Sequence, residues 1–103
     1  MVFNEMTTFH ERYEISRIDQ IYNESISRSN FASNTMKNLY DEPELAGHNC
    51  RGKKGKPPLS PNRLKYILHV VFQKYPLQTH ETEKAAWAYC QKIMDASLRQ
   101  LRN

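Results

Sequence analysis

No stretch of the chain approaches the roughly 20 consecutive apolar residues that a membrane-spanning helix needs. The N-terminal MVFNEMTTFHERYE has no apolar h-region, so it does not read as a secretory signal. Cysteine is scarce. Cys50 and Cys90 stand far apart, which excludes a dense disulfide framework and reads as two reduced thiols of an intracellular protein. Metal-ligand spacings are missing: there is no C-x-x-C, no H-x-x-x-H, and the close pair His48 and Cys50 has nothing nearby to complete four ligands. No metal and no other cofactor is expected. His10, His48, His69 and His80 are scattered, Ser60 is better explained as a helix cap than as a nucleophile, and no carboxylate pair shares a face with one. The chain is not expected to be an enzyme. Strand-period alternation is sustained nowhere, although residues 1–10 are compatible with an extended arm.

What is present is a short, polar, helical chain. With 103 residues it has room for one small domain with a modest core, and stability on the order of 5 kcal/mol. Its charge is polarised. Residues 1–46 hold four Lys/Arg against eight Asp/Glu, whereas residues 47–103 hold eleven against three. Between Gly47 and Tyr66 there are six cations and no acid. A one-sided basic surface suits a polyanion such as nucleic acid, and is also common on plain solvated faces.

The apolar spacing is helical. In SPNRLKYILHVVFQKYP, Leu64, Ile67, Leu68, Val71, Phe72 and Tyr75 make one continuous face, with Ser60 as N-cap, Pro61 at the first helical position and Pro76 as terminator. The last helix is expected to begin after Thr79. It carries Trp87, Cys90, Met94, Leu98 and Leu101 inward, and Lys84, Lys92, Asp95, Arg99 and Arg102 outward. Upstream, Tyr13 to about Ser25 forms one helix, SRSN at 27–30 a break, and Phe31 to Tyr40 a second helix. EPELAG adds one further turn closed by Gly47. The expected fold is a compact all-α single domain of four to five helices with one long basic Gly/Pro loop. Residues 1–12 form an N-terminal arm and 13–103 the helical domain.

The loop GHNCRGKKGKPP, residues 47–58, nearly spells a phosphate-binding G-x-x-x-x-G-K-[ST]. It fails as one: Lys54 replaces the metal-binding hydroxyl, YDEPELA is not a strand, and GKPPL cannot open a helix. A flexible linker would leave pieces too small for their own cores. A nuclear-import signal in RGKKGK is compatible with a second use. As a DNA contact, Arg51, Lys53, Lys54 and Lys56 would neutralise phosphates, while Gly52 and Gly55 would let the backbone approach a sugar-phosphate ridge. Arg63 and Lys65, next to the loop, would add phosphate contacts. Sequence readout would fall to the last helix, where Lys92, Asp95, Ser97 and Arg99 are candidates. For Asp95 an ion pair with Arg99 one turn on is the alternative. Trp87 reads as core, and Tyr66, off the apolar stripe, as an exposed aromatic.

In order and spacing these residues resemble the BEN domain. Leu39-Tyr40, Leu45, Asn49-Cys50-Arg51-Gly52-Lys53, Leu59-Ser60-Pro61-Asn62-Arg63-Leu64 and Ile67 follow the family pattern. So do Trp87, Cys90 and the Ile93, Asp95, Arg99 motif. The resemblance spans roughly residues 15–102. It implies an all-α module of chromatin-associated, transcription-regulating and some viral proteins, located in the nucleus or at sites of viral DNA. It further implies sequence-specific binding of double-stranded DNA, in some members as a homodimer on a palindromic site, with transcriptional cofactors as further partners. Arg51, Lys53, Lys54, Lys56, Asn62, Arg63, Lys65, Lys92, Asp95, Ser97, Arg99 and Arg102 would face DNA. A protein-interaction or dimerisation module without sequence-specific DNA binding is the alternative function.

Overall fold

The computed structural model describes residues 15–52 and 55–100; the expected N-terminal arm, Lys53, Lys54, Leu101 and Arg102 lie outside the described residues. Five helices are described: α1 Ile15–Asn23, α2 Arg28–Leu39, α3 Glu42–Leu45, α4 Pro61–Lys74 and α5 Glu83–Gln100. The all-α expectation holds.

Helix α2 is the axis of the core and packs against α5, α4 and α1. It can do so because its buried face is broad, about 200° around the helix: Phe31, Ala32, Ser33, Thr35, Met36 and Leu39 are all inside, with Lys37 and Asn38 left exposed. Its start is set by Ser27. That residue is extended, with φ −161°, and its Oγ accepts from the Asn30 N–H at 3.1 Å, satisfying one of the donors a helix leaves free at its N-terminus. The SRSN break therefore contains the first turn of α2 as well as the cap. Ile18 and Ile21 of α1 close one side of the core, where Tyr22, Phe31 and Tyr75 stack edge-on or tilted at 5.2–5.8 Å. Lys74 lies over the Tyr22 ring and pairs with Asp19, fastening α4 to α1.

Helix α4 runs between its two prolines as expected, but its buried face is turned slightly, centred on Ile67, Val70 and Val71, with Leu64, Phe72 and Tyr75 half-buried around them. Ser60 occupies the N-cap position without a side-chain cap bond. Its carbonyl instead accepts the Tyr40 hydroxyl at 3.1 Å. Helix α5 starts later than the spacing suggests. Thr82, not Thr79, caps it, with Thr82 Oγ1 accepting the Ala85 N–H at 3.2 Å. Cys90, Met94 and Leu98 are buried, and Trp87 meets Phe72 edge-on at 6.5 Å between ring centroids. Tyr66, expected to be exposed, is half-buried against the core, and that burial raises its hydroxyl pKa. Both cysteines are free and buried.

Candidate nucleic-acid interface

The basic loop leaves α3 through Gly47 (φ 77°) and is drawn together at its base. The Asn49 N–H donates to Pro57 O at 3.1 Å, and the Leu59 N–H donates to Asn49 O at 2.9 Å, a single parallel bridge. Inside this clasp Asn49 Oδ1 accepts the Gly52 N–H at 2.5 Å. Asn and Asp side chains commonly bond their own backbone a few residues on in this way to make turns. Gly52 takes φ 72°, and a Cβ there would come within 3.0 Å of Pro58 Cδ. Its missing side chain thus serves the inside of the loop. Gly55, also at positive φ, faces open space and is the glycine that leaves the loop surface bare.

The loop is held at both ends. Leu59 is buried and anchors the exit. Beyond it, Tyr40 binds the Ser60 carbonyl, and the Arg63 guanidinium lies 4.9 Å above the Tyr40 ring while pairing with Glu44 at 2.9 Å. Glu44 also accepts the Asp41 N–H at 2.8 Å, tying α3 to the same cluster. On the entry side Cys50 turns inward, and burial, then the neighbouring Asp95, push its thiol pKa far up. The Cys50 backbone N–H donates to Asp95 Oδ1 at 2.9 Å, and Arg51 Nε donates to Gln91 Oε1 at 3.1 Å. Gln91 and Asp95 are one turn apart, so a single edge of α5 carries both contacts.

These contacts bring Arg51 to the edge of α5 that carries Asp95. Arg51 is exposed, and Lys56 is half-buried in the loop. Asn62 and Lys65 are exposed on the first two turns of α4, which begins three residues after the bridged Pro58. Lys92 and Arg99 are exposed on α5, about 60° and 40° around from Asp95 at 100° per residue. Ser97 departs from this group: it is half-buried and about 200° around from Asp95. Asp95 is half-buried and is not an outward residue, and no ion pair with Arg99 is found among the described residues. Arg63 holds an internal ion pair. Asn49, Gln91, Tyr40 and Glu44, which shape the site, were not singled out as site residues from sequence. Asn-x-x-Gly at 49–52 is the one local signal that could have found the first of them.

A second feature lies at the other end of α5. Arg28 pairs with Glu81 through two 2.9 Å bonds and donates to Pro76 O at 3.1 Å. Around the pair is a cavity of about 550 Å³ bordered by Ser27, His80, Thr82 and the exposed Tyr89. Exposed Ile26 and Leu77 adjoin it through their chain neighbours Ser27 and Pro76.

The model of the BEN domain matches residues 30–102, from the first turns of α2 to the C-terminal end of α5 and beyond. BEN domain-containing protein 3 of Homo sapiens is 40% identical over 67 residues, and that of Mus musculus 39% over 67. Each alignment covers 58% of this chain and 8% of the relative. Helix α1 precedes the matched segment yet supplies Ile18 and Ile21 to the same core. With the greater part of its length matched, including the basic loop and the helix that anchors it, the chain belongs to the BEN domain family.

Proposed function

We propose that this chain binds double-stranded DNA sequence-specifically through the 47–58 loop and α5, and acts in the nucleus in transcription or chromatin regulation. BEN domains are generally linked to DNA binding and to chromatin and transcription. The observation that supports the reading is the seat of the loop on α5, where Cys50 and Arg51 bond Asp95 and Gln91 on a helix whose exposed Lys92 and Arg99 lie within about 60° of Asp95. Arg51, Lys53, Lys54, Lys56 and Lys65 supply affinity by neutralising phosphates and releasing counterions. Lys92 and Arg99 supply sequence discrimination through hydrogen bonds to base edges in the major groove. Two copies on a palindromic site would double the contact set.

Replacing Lys53, Lys54 and Lys56 by Glu tests this. Duplex binding collapses in a gel-shift or anisotropy titration, while circular dichroism shows an unchanged helical fold. Retained binding at parent strength would remove the loop from the interface.

The protein-interaction reading draws on a different observation, the exposed Tyr89 bordering the Arg28–Glu81 cavity, with exposed Ile26 and Leu77 next in sequence to Ser27 of its lining and to Pro76, which Arg28 binds. Exposed apolar groups gathered in one place mark contact surfaces more often than scattered ones do. A parent protein that binds no duplex at any salt concentration but self-associates or retains a protein partner, and loses it on Tyr89→Ala, would favour that reading.

A further inference from the structure

Asp95 is the only acid on α5 after its first turn, with Lys92 and Arg99 three and four residues away on the same helix and Arg51 bonded to Gln91 one turn before it. A carboxylate aimed outward there would repel the phosphates its neighbours attract. Its observed contact points elsewhere: Oδ1 accepts the Cys50 N–H at 2.9 Å, across 45 residues of chain. One turn earlier Gln91 accepts from Arg51 on the same helix edge. Asn49 makes the matching contact within the loop, its Oδ1 on the Gly52 N–H and its backbone N–H and carbonyl both engaged in the bridge.

We propose that Asp95 and Asn49 are positioning residues. Asp95 ties the loop to α5 and Asn49 folds it on itself, so that loop and helix cations form one surface before a ligand arrives. The effect of Asp95 on DNA is transmitted through the loop and not through a base contact. This rests on the reading that loop and α5 bind duplex DNA.

The physical argument is preorganisation. A free Gly/Lys-rich loop would have to be ordered at the moment of binding, and that cost subtracts from affinity. A charged acceptor makes a stronger bond to a backbone N–H than a neutral one does, so a carboxylate is well suited to this anchor. Helix α5 is a rigid base for it, because Cys90, Met94 and Leu98, on the edge next to Gln91 and Asp95, are buried in the core.

The test has two arms. In the free protein, amide hydrogen exchange followed by NMR should find the Cys50 and Gly52 N–H groups protected. Asp95→Ala should remove protection at Cys50 and lower it at Gly52. Asp95→Asn, which keeps an acceptor oxygen in place, should restore most of it. Asn49→Ala should release Gly52 first, and Gln91→Ala provides a milder loosening should Asp95→Ala fold poorly. In the second arm, Asp95→Ala should weaken binding to a selected duplex and to a random duplex by the same factor. It should also reduce the slope of log K against log salt by about 2 to 3, as three or so loop phosphate contacts are lost at roughly 0.9 each. Asp95→Asn should return the slope towards the parent value.

A Cys50 amide that exchanges equally fast in the parent and in Asp95→Ala would overturn the proposal. So would an Asp95→Ala protein whose preferred base changes at one position while its random-duplex affinity and salt slope stay at parent values. Failure of the parent to bind any duplex would fall on the functional reading alone, and the exchange arm would still decide whether Asp95 anchors the loop.

Discussion

Gly52→Ala and Gly55→Ala make a controlled pair. Both glycines have positive φ, 72° and 77°, so an alanine at either costs about 1–2 kcal/mol in backbone strain. Their surroundings differ. At Gly55 the new methyl meets nothing within 4 Å. At Gly52 it would lie 3.0 Å from Pro58 Cδ and 3.3 Å from Pro58 Cβ and N. Comfortable carbon–carbon contact begins near 3.5 Å. Pro58 cannot retreat freely, because it is bridged to Asn49 between the Pro57 carbonyl and the Leu59 N–H. Overpacking of this kind adds about 1–3 kcal/mol. The expected losses are therefore about 1–2 kcal/mol for Gly55→Ala and about 2–5 kcal/mol for Gly52→Ala, the latter a large part of a small domain's stability. Urea unfolding followed by circular dichroism gives the global figure. Exchange of the Leu59 N–H reports whether the loop opens locally instead. Equal losses for the two variants by both measures would refute the clasp at Asn49 and Pro58.

Other consequences can be checked on the same protein. Hydrogen bonds from Arg28, then from the Gln78 N–H, lower the Glu81 pKa from 4.5 to about 2, so the stabilisation is complete above pH 4.5 and is lost as pH falls towards 2. The urea midpoint of the parent should converge on that of Glu81→Gln across this window, and a constant gap would contradict the pairing. Tyr40→Phe removes the bond to Ser60 O but keeps the ring under Arg63, and should cost about 1 kcal/mol in urea unfolding. Burial raises the Cys50 thiol pKa far up and that of Cys90 to about 11, so neither should be alkylated by iodoacetamide at pH 8 until urea unfolds the chain.

The helices were legible because their signals are local. Pro61 and Pro76 bracket α4, Gly47 closes α3, and apolar residues at spacings of three and four mark the buried edges of α4 and α5. The start of α5 was misplaced because Thr79 and Thr82 are both competent caps, and only the Ala85 contact distinguishes them. The loop was legible as basic, and its Gly/Pro content as irregular, but its anchoring was not. Asp95 binds a backbone N–H 45 residues away, and Arg28 finds Glu81 across 53. Contacts of that range leave no periodic trace, and a backbone donor has no residue type to recognise. Spacing alone put Asp95 on the outer face with Arg99, whereas the loop covers that edge of α5. Tyr66 differs from its expected exposure as well: it lies off the main stripe of α4, yet it is partly buried against the core.

Sequence-specific recognition of duplex DNA by a loop and helix fixed together can be put to a single selection experiment. Bound molecules are recovered from a pool of random duplexes, in parallel for the parent and for the variant with Lys53, Lys54 and Lys56 changed to Glu. The parent should enrich a defined motif, palindromic if two copies bind together, and the variant should recover nothing above background. A parent that retains DNA but enriches no motif through successive rounds would reduce the basic surface to a general polyanion contact.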